Sequence, residues 1–81
     1  MKARVTITLR EGVLDPQGQA IHHALGTLGF DGIRGVRQGK VIELDIEDGP
    51  EDTARDRVKD MCEQLLANTV IESYAIEMIG R

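Results

Sequence analysis

The chain has one cysteine, two prolines, no tryptophan and just two aromatic residues, Phe30 and Tyr74, among 81 positions. A single thiol excludes an intrachain disulfide, and no histidine or cysteine cluster has the spacing of a zinc site. His22 and His23 are adjacent, so on a helix they project about 100° apart and flank an apolar stripe instead of sharing a ligand. Two aromatics offer no stacking platform for single-stranded nucleic acid. Positive charge is scarce too: 10 basic against 14 acidic side chains give a formal charge of −4, the wrong sign for a phosphate-backbone binder. No apolar run approaches the roughly 20 residues of a membrane span. The N-terminus alternates, unlike the apolar block of a signal peptide, so a cytoplasmic protein is expected. At this length burial and ordering entropy nearly cancel. With no disulfide or metal to help, self-association is the expected source of extra stability.

The polar and apolar pattern supplies the elements. Residues 3–9 alternate, with Ala3, Val5, Ile7 and Leu9 on one side and Arg4, Thr6 and Thr8 on the other, the signature of a half-buried strand. Asp15 is a good N-cap and Pro16 suits the first helical position, where its missing N–H costs nothing. Ile21, Ala24, Leu25 and Leu28 then follow at helical spacing, and Gly29 can close the helix in the left-handed conformation. A glycine-rich stretch, residues 30–37, predicts a second strand near its end. Gln38-Gly39 reads as a tight turn, which would pair Arg37 with Lys40, Val36 with Val41 and Arg34 with Glu43. The third strand runs from Lys40 to Glu47. A second helix starts after Pro50, lines up Ala54, Val58, Met61, Cys62, Leu65 and Leu66, and ends at Asn68. A fourth strand covers Glu72 to Ile79.

This order, β-α-β-β-α-β, predicts an α+β fold: one two-layer domain over residues 1–81, a four-stranded antiparallel sheet with both helices on one face. The ferredoxin-like spatial order of strands, fourth-first-third-second, places Arg4 and Arg10 between acidic neighbours, with Glu77 on one side and Glu43, Asp45 and Glu47 on the other. A dimer that exchanges elements satisfies the same pattern.

No catalytic constellation emerges. Cys62 falls on the apolar face of the second helix, where a thiol behaves as a small hydrophobe. The glycines from Gly29 to Gly39 lack a phosphate-loop motif and a following helix N-terminus, so turn and close-approach roles account for them. Arg10, Arg34, Arg37 and Lys40 read as a solvated face with acidic cross-strand neighbours. Glu43, Asp45 and Glu47 simply alternate along a strand.

Three segments, Gly12 to Ile21 (GVLDPQGQAI), Val36 to Lys40 (VRQGK) and Met61 to Tyr74 (MCEQLLANTVIESY), with Leu28-Gly29-Phe30 between them, resemble the PurS family along essentially the whole chain. PurS is the small subunit of phosphoribosylformylglycinamidine synthase. The resemblance implies a PurS-like fold and a subunit without catalytic, cofactor-binding or metal-binding residues of its own. It further implies self-association and bridging of two larger partners: PurQ, a glutaminase, and PurL, the synthetase that would hold ATP and Mg. Asp15, Gln17, Arg37, Gly39 and Lys40, which lie in the matching segments, are the implied partner-contact residues. A ligand-sensing module that binds a metabolite at a dimer interface stays open as an alternative reading of the same pattern.

Overall fold

The computed structural model describes residues 1–80. Its elements are β1 (Lys2–Leu9), α1 (Pro16–Thr27), β2 (Gly39–Asp45), α2 (Glu51–Met61), a π-helical continuation of α2 (Cys62–Leu66), and β3 (Glu72–Ile79). The three strands form one antiparallel sheet in the order β2-β1-β3. Alternation in β1 is realised as anticipated: Ala3, Val5 and Ile7 are fully buried, and they pack with Val58 and Cys62 of the second helix and with Ala67. On the opposite face Arg4 lies between Glu43 of β2 and Glu77 of β3, at 3.0 and 3.3 Å. Such exposed pairs contribute little to stability, but they fix which strands neighbour β1.

The sheet has three strands, not four. Residues 30–38 form no ladder, so the pairs Arg37 with Lys40, Val36 with Val41 and Arg34 with Glu43 do not exist. Lys40 faces Ile7, Val41 faces Thr6, and Glu43 faces Arg4. The reason lies in competing partners for that backbone. Gly32 adopts a φ of +87°, which breaks an extended run. The carbonyl of Ile33 accepts from His22 Nε2 at 2.6 Å, and the N–H of Gln38 donates to Asp15 at 2.8 Å. The segment therefore runs back along α1 instead of joining the sheet. Gly39 is no turn residue; it opens β2, directly opposite Thr8.

Arg10 also departs from its expected place. β1 ends at Leu9, and the Arg10 guanidinium donates to the carbonyl of Thr69 at 2.9 and 3.1 Å. In the second helix Ala54, Val58 and Cys62 are buried as the spacing implies, whereas Leu65 is 82% exposed. The π-helical turn that begins at Cys62 takes Leu65 off the buried face, and Ala67 becomes the next buried residue.

The helices do not share one face of the sheet. α2 packs on β3, while α1 packs extensively on no other element. Among the described residues no helix packs extensively on β2, and the inward side chains Ile42, Leu44 and Ile46, at the edge of the core, stay half-buried. The radius of gyration is 16.1 Å, against roughly 12 Å for a compact chain of this length. The extents of 49, 28 and 15 Å are those of an elongated chain, in keeping with α1 and the segment that returns beside it standing as an arm without extensive packing on another element.

Candidate interaction site

The arm is braced where it leaves the sheet. Asp15 is the N-cap of α1: one carboxylate oxygen accepts from the Gly18 N–H at 2.8 Å, the other from the Gln38 N–H at the same distance. One side chain thus holds the start of the helix and the end of the returning segment together. The hydrogen bonds from Gln38 and Gly18, with the nearby Arg37 charge, keep this carboxyl below its ordinary pKa. Gly18 is the one buried residue of α1, and a side chain there would run into the carbonyl of Val36.

Asp15, Gln17, Gln38, Gly39 and Lys40 surround a single cleft of about 310 Å³ at this junction, together with Thr8 and Glu72. Four of the five anticipated contact residues therefore meet: Asp15, Gln17, Gly39 and Lys40. Arg37 does not line the cleft and acts on it only through its charge beside Asp15. The contribution of Glu72 was invisible in sequence, because β3 reaches the junction only through its pairing with β1.

The arm itself is apolar and uncovered. Leu28 is 72% exposed, Phe30 59%, and Ile21 and Ile33 about two-fifths exposed. A patch of this kind, rimmed by polar residues, marks an association surface. Elsewhere, Val41 of β2 is exposed, whereas Val36 and Ile79 are half-buried.

The reactive side chains have structural roles. Cys62 is fully buried, and that burial, reinforced by Glu63, pushes its thiol above the ordinary range, away from that of a nucleophile. Tyr74 donates to Glu63 Oε2 at 2.5 Å and so ties the π-helical turn to β3. This bond, with desolvation, raises the phenol to about 12. The native state therefore keeps its proton longer than the unfolded chain does. The resulting stabilisation is complete below pH 10, the phenol's ordinary value, and is lost as pH rises to about 12. Tyr74→Phe is expected to remove this alkaline component, so the variant loses less stability than the parent over that interval. Tyr74 is the only tyrosine, so phenolate absorbance in native and denatured protein measures the shift directly.

A small α+β domain with a braced apolar arm and a half-buried sheet flank is built to associate. The PurS family profile, described as phosphoribosylformylglycinamidine (FGAM) synthase, matches residues 2–80. The PurS subunit of this synthase from Bacillus subtilis is 49% identical over 95% of the chain and 90% of its own length. That from Synechocystis is 52% identical over 93% of the chain and 75% of its own length. Among solved structures, Methanocaldococcus jannaschii PurS superposes with a TM-score of 0.85 at 42% identity, covering 94% of the chain and 92% of its own. A chain in the structure of PurLQS from Thermotoga maritima gives 0.88 at 32% identity, covering 96% and 95%. The chain belongs to the PurS family, the small subunit of phosphoribosylformylglycinamidine synthase.

Proposed function

We propose that the chain works in the cytoplasm as the non-catalytic bridging subunit of that synthase. The complex converts formylglycinamide ribonucleotide, ATP, glutamine and water to formylglycinamidine ribonucleotide, ADP, phosphate and glutamate. PurQ releases ammonia from glutamine; PurL, with ATP and Mg, consumes it. Ammonia is lost to protonation and diffusion unless the two sites are held together with water excluded. The bridge supplies that geometry by contact area alone.

The observation that carries this reading is the arm, an apolar surface of Ile21, Leu28, Phe30 and Ile33 left uncovered by its own chain. Its complement is the β2 flank, where Ile42, Leu44 and Ile46 are only half-buried and no helix packs extensively on the strand among the described residues. The arm of one copy laid on the β2 flank of another, reciprocally, covers both surfaces in a closed two-fold pair. Self-assembly of this kind leaves the cleft at the arm's base and the far end of α2 to face other subunits.

Size-exclusion chromatography with light scattering tests the proposal. Alone, the chain should have a mass at least twice its 8.9 kDa; mixed with PurQ and PurL of the same organism, it should co-elute with them. An isolated 8.9 kDa species that elutes apart from both would contradict it.

A further inference from the structure

The cleft at the base of the arm holds opposite charges that do not meet. In the ladder Lys40 stands opposite Ile7 and Glu72 opposite Leu9, and residues paired in this way project to the same face. Ile7 and Leu9 of β1 therefore make a short apolar floor, with a cation on the β2 side and an anion on the β3 side. The two flanking backbones lie on the order of 10 Å apart, two strand spacings. Among the described residues Lys40 forms no ion pair, with Glu72 or with any other carboxylate. Glu72 accepts from the Asn68 N–H at 2.6 Å with one of its two oxygens. Gln17 and Gln38 add two side-chain carboxamides to the rim. The neighbouring charges are engaged elsewhere. Asp15 accepts from Gly18 with one oxygen and from Gln38 with the other, beside the Arg37 charge, and the Arg10 guanidinium donates to the Thr69 carbonyl.

We propose that this cleft binds a free α-amino acid with an uncharged polar side chain, its carboxylate on Lys40, its ammonium on Glu72 and its side chain on Gln17 and Gln38. Charge decides the class. A lone anion satisfies Lys40 but meets Glu72 and Asp15; a lone cation satisfies Glu72 but meets Lys40. A zwitterion answers both at once. The volume of about 310 Å³ lies at the small end of ligand sites, which start near roughly 300 Å³. L-glutamine is the member of this class at hand, a choice that rests on the synthase reading, whereas the class rests on the cleft alone. L-glutamate fits less well, because its second carboxylate faces the same acidic rim. The arm of a second copy is a poor occupant, since Ile21, Leu28, Phe30 and Ile33 offer no charge to Lys40 or Glu72.

Calorimetric titration of the full, self-assembled chain with L-glutamine tests the proposal. L-glutamate, 4-carbamoylbutanoate (no ammonium), L-glutaminamide (no carboxylate) and inorganic phosphate serve as comparisons. L-glutamine should bind with a Kd of about 1 mM or tighter, and each of the others at least about tenfold more weakly. Lys40→Met should abolish the preference for L-glutamine over L-glutaminamide. Glu72→Gln, which keeps an acceptor for the Asn68 N–H, should abolish the preference over 4-carbamoylbutanoate. Both variants should keep the parent's assembled mass by light scattering; if Glu72→Gln misfolds, Lys40→Met with its paired ligands decides alone. Absence of L-glutamine binding at about tenfold the expected Kd would overturn the assignment. So would phosphate or L-glutamate bound as tightly, preferences unchanged in the variants, or loss of self-assembly in Lys40→Met, which would make the cleft a homotypic contact. None of these results touches the bridging role, which stands or falls on co-elution with PurQ and PurL.

Discussion

Ile21→Glu with Leu28→Lys should convert the chain to an 8.9 kDa monomer while leaving its secondary structure in place. Both positions lie on the uncovered side of the arm, 40% and 72% exposed, so the isolated fold loses little from the change. Glu is a good helix former, and Lys at the C-cap complements the helix dipole, so α1 itself should persist. In the assembled state, by contrast, both side chains would carry charge into an apolar contact without partners. Burying unpaired charge costs several kcal/mol, which translates to at least a hundredfold or so in association. Light scattering with circular dichroism separates the outcomes. A folded monomer supports the arm as the self-association surface. Unchanged mass would place that surface elsewhere.

Gly39→Val should produce a large loss of stability although the position is exposed. A Cβ built on Gly39 would lie 2.5 Å from the Ile7 carbonyl oxygen and 2.8 Å from Thr8 Cγ2. The first of these is backbone, and it belongs to the central strand. Relief requires β2 to move away from β1 exactly where the arm is attached. Overpacking of this kind costs about 1–3 kcal/mol, or roughly 5–20 °C in melting temperature for a domain of this size. Gly26→Ala is the matched control. Its Cβ would meet nothing within 4 Å, and it lies inside α1, where alanine is favoured over glycine. Calorimetry at fixed concentration should show a sharp drop for the first variant and a neutral or slightly higher value for the second. Equal melting temperatures would contradict the close approach at Gly39.

The contrast between these two glycines illustrates what a sequence conveys and what it conceals. Helical and strand periodicities report local burial, and they were legible wherever one face of an element meets the core. β1 alternates because Ala3, Val5 and Ile7 meet α2; β3 was readable over its full length, Glu72–Ile79, for the same reason. Asp15 and Pro16 announced the start of α1 through chemistry confined to a few neighbouring residues. The interleaving of Arg4 between Glu43 and Glu77 even gave the neighbours of the central strand.

Failures arose where distant groups decide. Nothing local distinguishes the stretch around Val36 from a strand; what removes it from the sheet is the claim of His22 on the Ile33 carbonyl and of Asp15 on the Gln38 N–H. The apolar spacing of α1 marks a face, but spacing cannot say that this face packs extensively on no other element among the described residues. A 3.6-residue period extrapolated through Cys62 puts Leu65 in the core, but the helix turns π-helical there and takes it out. The cleft was half legible. Its residues could be picked from two segments of family resemblance, yet their meeting with Glu72 depends on three chain segments converging at one end of the sheet.

The account's central claim is that this chain contributes geometry and no chemistry to a reaction performed by its partners. Glutamine-dependent formation of formylglycinamidine ribonucleotide by PurQ and PurL, measured with and without the chain, tests it most directly. The expected result is a rate that rises with added chain and saturates at a fixed stoichiometry, with no turnover by the chain alone. Full glutamine-dependent activity in its absence, or product formed by the isolated chain, would contradict the account.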